Sequence, residues 1–86
     1  MSIAPPRRSL DERARLGAEA FARHVEPHLR PEHRGLFVAV DIDTGEYEID
    51  KSDLAAITRL EARIPGAEIW LMRAGHSAAY KFAGVR

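Results

Sequence analysis

Residues Gly35 to Asp50 read GLFVAVDIDTGEYEID: an apolar run, a short Asp-Thr-Gly break, and a second run in which apolar and acidic residues alternate. Alternation with a period of two marks extended chain, and Asp-Thr-Gly supplies the residue types of a tight connection, with a glycine free to take positive φ. The stretch therefore predicts a β-hairpin. Its first strand sends Leu36, Val38, Val40 and Ile42 to one face and Phe37, Ala39, Asp41 and Asp43 to the other. Its second sets Tyr47 and Ile49 against Glu46, Glu48 and Asp50. One dry and one wet face is the pattern expected near a sheet edge, and the acids form a ladder on the exposed side.

On the N-terminal side, Pro27 and Pro31 stop regular helix and Gly35 closes the connection into the first strand. Before them, Ser9 followed by Glu12 is a helix-start pattern, and Leu10, Ala14, Gly17, Ala18, Phe21 and Val25 recur at three and four residues. This predicts a helix to about Glu26, with a narrow stripe of small residues that can lie close to a sheet. Residues 1–8, with Pro5-Pro6 and Arg7-Arg8, are expected to be a flexible tail. The remaining 9–86 make a single small domain.

On the C-terminal side, Ser52 or Asp50 caps a second helix whose Leu54, Ile57, Leu60 and Ile64 share one face and which ends at Pro65-Gly66. Ala67 to Arg73 is apolar on both faces, with Ile69 and Leu71 opposite Trp70 and Met72. Such a strand belongs inside a sheet or under a partner. Ala74 to Ser77 reads as a turn and Ala78 to Phe82 as a last short strand presenting Tyr80 and Phe82. The order is α-β-β-α-β-β, which predicts an α+β fold: a roughly four-stranded, mainly antiparallel sheet with two helices on one face.

Composition narrows the function classes. The chain has no cysteine, which removes disulfides and thiolate metal sites and fits a reducing, cytoplasmic setting. No apolar run has the length of a membrane span, and MSIAPPRRS lacks the apolar core of a signal peptide. Thirteen basic residues balance thirteen acidic ones, leaving no global field to draw in nucleic acid. The balance is uneven along the chain. Residues 36–65 carry three basic and seven acidic side chains, so the hairpin and the following helix are the acidic sector.

Three constellations could carry chemistry. Asp43-Thr44-Gly45 after an apolar strand is the signature of a retropepsin-like aspartyl protease, which builds its site as a homodimer from two carboxylates sharing a proton. Here, however, Glu46-Tyr47-Glu48 follows where those enzymes have a small and then apolar residues, and a helix follows the second strand. The turn reading accounts for the triplet with ordinary hairpin chemistry. An EF-hand reading of Asp41-x-Asp43 fails at the fifth, sixth and twelfth positions, where Gly45, Glu46 and Ser52 stand. His24 and His28 have i,i+4 spacing, but Pro27 interrupts that turn, and with His33 and His76 they complete no metal motif. No metal or other cofactor is expected.

What remains is an interaction surface: Trp70, Met72, Phe37 and Tyr80 beside Arg73 are residue types that anchor interfaces. Alternatively, residues 1–35 cover that sheet face and Trp70 is core. Both readings are open at this stage.

The run Gly35 to Asp41, then Thr44-Gly45-Glu46-Tyr47-Glu48, Arg59-Leu60, Pro65-x-Ala67-x-Ile69-Trp70 and Arg73-x-Gly75-His76, resembles a group of short bacterial proteins of unknown function. The resemblance covers residues 34 to 82. Genes of that group often sit beside genes for small proteases or toxin–antitoxin components, and this implies a partner-binding role. The expectation is thus a small, non-enzymatic cytoplasmic protein that binds a protein partner, itself as a homodimer, or both. Its candidate partner-binding residues are Asp41, Asp43, Glu46, Glu48, Trp70, Arg73 and His76. The alternatives are the Asp43 protease and a small-ligand module with a pocket between the first helix and the sheet.

Overall fold

The computed structural model describes residues 8–75. Helix α1 spans Leu10–Ala20, strand β1 Phe37–Asp41, strand β2 Tyr47–Asp50, helix α2 Asp53–Arg63 and strand β3 Ile69–Arg73. The strands form one sheet in the order β2-β1-β3 with both pairings antiparallel. The expected hairpin is β1-β2, with Ala39 opposite Glu48 and Val40 opposite Tyr47. On its other side β1 pairs with β3, Val40 opposite Trp70 and Val38 opposite Met72. The sheet thus has three strands among the described residues, not four. The fourth expected strand, Ala78 to Phe82, lies outside them, as do His76 and most of the expected N-terminal tail.

The two helices lie on opposite faces of the sheet, which corrects the expectation that both cover one face. One core forms around Val38 and Val40, where Ala20, Phe21, Val25 and Ala74 are buried with Trp70, Met72, Tyr47 and Ile49 packed against them. The other forms around Ala39, where Ala56 and Leu60 of α2 are buried with Ile57, Ile64, Ile69 and Leu71. The physical reason is in the strands: β1 and β3 are apolar on both faces, and a single helical layer would leave one of those faces in water.

Helix α1 starts as expected, with Ser9 Oγ accepting from the Glu12 N–H at 3.1 Å. Its buried face differs from the expected stripe. Gly17, Ala20, Phe21 and Val25 are buried, whereas Leu10 is 68% exposed and Ala18 is exposed. After Ala20 the helix widens into a π turn, Phe21–Val25, and then tightens into 3-10 turns at Glu26–His28 and Pro31–His33. Phe21 and Val25, each four residues on from the last, follow Gly17 on one helical face, and that face meets the sheet. Gly17 has a packing reason to be glycine. A Cβ there would run into the Trp70 ring, whose own Cβ stands 2.7 Å from that point. Trp70 is therefore half-buried beneath α1, on the sheet face covered by α1 and the turns that follow it.

Helix α2 is capped by Ser52, whose Oγ accepts from the Ala55 N–H at 3.2 Å, while Asp50 accepts from the Ser52 N–H at 2.8 Å. Both expected capping residues are used, one for the helix and one for the turn before it. Leu54, expected on the apolar face, is 69% exposed, and Ala56 takes the buried position beside Leu60. The β2-α2-β3 connection carries the chain from one outer strand to the other, so among the described residues both strands beside β1 are edges.

Candidate partner-binding edge

Antiparallel pairing alternates, so every second residue of an outer strand turns its backbone N–H and C=O away from the sheet. The bond from Asp41 N–H to the Glu46 carbonyl, at 2.8 Å, sets the phase on the β2 side. Glu48 and Asp50 face β1, and Tyr47 and Ile49 face outward. On the β3 side, Ile42 N–H donates to the Glu68 carbonyl at 2.9 Å and Ala74 N–H to the Leu36 carbonyl at 2.8 Å. Trp70 and Met72 therefore face β1, and Ile69, Leu71 and Arg73 face outward.

The two edges are treated differently. Arg59 and Arg63, one turn apart on α2, reach over the β2 edge. Arg59 Nη2 donates to the Ile49 carbonyl at 2.8 Å and Arg63 Nη2 to the Tyr47 carbonyl at 3.0 Å. These are the outward-facing acceptors of β2. The same guanidiniums hold the hairpin acids. Arg59 bonds Glu48 and Asp50 at 2.9 Å each, and Arg63 bonds Glu46 at 3.1 Å and Glu48 at 2.9 Å. Covering an edge with charged side chains is a common way of keeping other strands off it. The acid ladder of the hairpin is therefore internal wiring along its length, with its carboxylates occupied by α2. The Ser52 N–H first, and the Arg59 guanidinium second, hold the Asp50 carboxyl below its usual range, and both carboxylates raise Arg59.

The β3 edge has one such contact among the described residues: Arg13 Nη2 donates to the Ile69 carbonyl at 3.3 Å. The outward N–H and C=O groups of Leu71 and Arg73 meet no described residue. Arg73 points instead along the sheet. Its Nε and Nη2 donate to the Gly35 carbonyl at 3.3 and 3.2 Å, and its guanidinium stands 4.8 Å above the Phe37 ring.

The Asp-Thr-Gly turn separates its two carboxylates. Asp41, expected on the exposed acid ladder, is 2% exposed. It accepts from the Thr44 hydroxyl at 2.8 Å and from the Glu68 N–H at 3.1 Å, and its carbonyl accepts from the Gly45 N–H at 2.8 Å. Gly45 takes φ +81, the positive angle the turn requires, with the His24 ring against it. Asp43 is exposed and pairs with Arg8 at 2.8 Å. The other Arg8 nitrogen bonds the buried carboxylate of Glu68, which Arg13 also faces at 3.5 Å. Asp43 chiefly, with Glu68, raises Arg8. Nothing in the sequence singled out Arg8, Arg13 or Glu68. The signal was an acid inside an otherwise apolar strand approach, which requires a cation beside it.

The structure brings Glu46 and Glu48 together under α2, places Asp41 and Asp43 at the turn, and puts Trp70 under α1, with Arg73 at the far end of β3. These residues do not converge on one surface. Two grooves lie at the sheet's margins. One, of about 470 Å³, runs past His24, the Thr44–Glu48 stretch and Arg63; the other, of about 280 Å³, lies between the 3-10 turns and Gly75. The space between α1 and the sheet is filled by Phe21, Val25, Trp70 and Met72. Among the described residues, no group of three or more His, Cys, Asp or Glu is placed to hold a metal ion, and no helix is long and apolar enough to cross a membrane. Comparison of the chain with protein-family models, with curated proteins and with solved structures finds no match.

Proposed function

We propose that the protein acts by binding another polypeptide, a partner protein or a second copy of itself, through strand addition at the outer edge of β3. The observation that carries this reading is the asymmetry of the sheet: guanidiniums occupy the outward carbonyls of the β2 edge, while among the described residues the outward backbone groups of Leu71 and Arg73 meet no partner. Main-chain hydrogen bonds to such an edge give affinity, and the flanking side chains give selectivity. The half-buried Ile69 and Leu71 would extend the α2-side core across the new junction. A regulatory accessory role, of toxin–antitoxin type or otherwise, is compatible with a domain whose working part is an edge. The Arg8 pairing weighs against a shared-proton dyad at Asp43, because a carboxylate held ionised by a guanidinium does not share a proton with its twin. The filled α1-side core weighs against a ligand pocket there.

The test is a pair of variants at one position. Arg73→Pro removes an outward N–H and leaves the β1-β3 ladder intact, as proline is tolerated on the free side of an edge strand; Arg73→Ala removes only the side chain. Light scattering across a concentration series, and titration with an extended Val-Thr repeat peptide, should show association that Arg73→Pro loses and Arg73→Ala largely keeps. A parent protein that is monomeric at every concentration and binds no extended peptide would rule the reading out.

A further inference from the structure

Most guanidiniums of the described chain face a carboxylate: Arg8, Arg13, Arg15, Arg59 and Arg63 all do. Arg30, Arg34 and Arg73 have no carboxylate in ion-pair range among the described residues; Arg23, exposed on the π turn, is the other of this kind. Unlike Arg23, the three gather at one place, the Gly75 end of β3. Arg30 and Arg34 line the groove of about 280 Å³ whose apolar part is Leu29, Pro31 and Ala74, and Glu26 is the single acid lining it. A Cβ on Gly75 would lie 2.8 Å from Arg34 Cγ, so the Arg34 side chain crosses directly over the chain where it leaves the strand. Arg73 belongs to the opposite face, where its guanidinium is fixed on the Gly35 carbonyl. Arg73 thus points back over β1, and a segment laid along β3 would meet the arginines of the groove, Arg30 and Arg34, as it passed Gly75.

Resting on the strand-addition reading, we propose that the β3 edge takes an acidic segment of a partner protein: an extended run of apolar and β-branched residues with consecutive carboxylates at the end nearest Gly75. Consecutive residues of a strand point to opposite faces, so in a run of acids every second one faces the groove that Arg30 and Arg34 line. Arg30 and Arg34 share their groove with Glu26 as its single acid among the described residues, and an acidic occupant matches that excess of positive charge, which is the part of an interface that sets specificity and association rate. Residues 76–86, HSAAYKFAGVR, contain no Asp or Glu, and the acids of a second copy's hairpin are already held by Arg59 and Arg63.

The test uses the full chain and fluorescein-labelled peptides in which three glutamates lead or trail a Val-Thr-Val-Thr strand, with lysine versions as controls, read by fluorescence polarisation. One glutamate order should bind about tenfold or more tighter than its lysine counterpart, weaken as salt rises, and lose about fivefold to tenfold in Arg30→Gln/Arg34→Gln, two exposed changes that leave the circular dichroism unaltered. A glutamate peptide carrying N-methyl groups on alternate amides should not bind. Equal binding of glutamate and lysine peptides, abolished by N-methylation, would overturn the acidic preference and leave strand addition standing. Absence of binding by any peptide would overturn both.

Discussion

Asp41 and Asp43 stand two positions apart in one turn, and the difference in their surroundings fixes what each contributes. Asp41 is closed in at 2% exposure and satisfies the Thr44 hydroxyl and the Glu68 N–H, so its loss strands buried donors. Asp41→Ala should lower unfolding stability by about 1–3 kcal/mol. Asp43→Asn breaks only an exposed pair with Arg8 and should cost less than about 1 kcal/mol. Urea denaturation of the two variants checks the ranking. Asp50 adds a pH dependence. Its carboxyl is held below the usual aspartate range by the Ser52 N–H and then Arg59, so the stability it contributes is present above that range and is lost as pH falls through the lower, folded value. The gap in melting temperature between parent and Asp50→Asn should therefore narrow on acidification below about pH 4. At this scale the sequence disclosed the turn and its glycine, since Asp, Thr and Gly have local reasons to be there. It did not disclose that Asp41 turns inward, because that depends on Glu68, which is far away in the chain.

Among the elements, both helices and three strands were legible from periodicity, capping residues and the Pro and Gly stops. Their assembly was less so. The apolar second face of β1 and β3 was visible in Phe37 and Ala39 against Val38 and Val40, and in Ile69 and Leu71 against Trp70 and Met72, yet which helix covers which face is a matter of connection geometry. On α1 the stripe held at Gly17, Phe21 and Val25 and failed at Leu10 and Ala18, which are exposed, while Ala20 is buried; how far a sheet extends beneath a helix is not written in the helix's spacing. Arg59 and Arg63 looked like the solvated side of α2, and in the fold they close the β2 edge. Replacing both with methionine, which keeps helix propensity and stem volume but not the donors, should free the Ile49 and Tyr47 carbonyls and the hairpin acids. The expected result is concentration-dependent association in analytical ultracentrifugation that survives Arg73→Pro, since the exposed edge would now be β2. A double variant with the parent's sedimentation behaviour would show that the guanidiniums do not guard that edge.

Across the described residues, two thin cores sandwich three strands, and arginines occupy the outward carbonyls of one sheet edge while the other carries a single such contact. Overall composition foretold a small domain with no net charge but not where its working surface lies, because edges exist only after strands have paired. The hairpin acids and Trp70, the residues most conspicuous as interface candidates in the sequence, turn out to be engaged within the fold. Among the described residues, the outward backbone amides and carbonyls of Leu71 and Arg73 are left without a partner, and such groups carry no sequence signature at all. Amide hydrogen exchange at single-residue resolution addresses this directly. In dilute protein the Leu71 and Arg73 amides should exchange rapidly while those of Trp70 and Met72, bonded to β1, are protected; adding the acidic strand peptide should protect Leu71 and Arg73 as well. Leu71 and Arg73 amides already protected in the dilute, unbound protein, or left unprotected in the presence of saturating peptide, would contradict strand addition at β3.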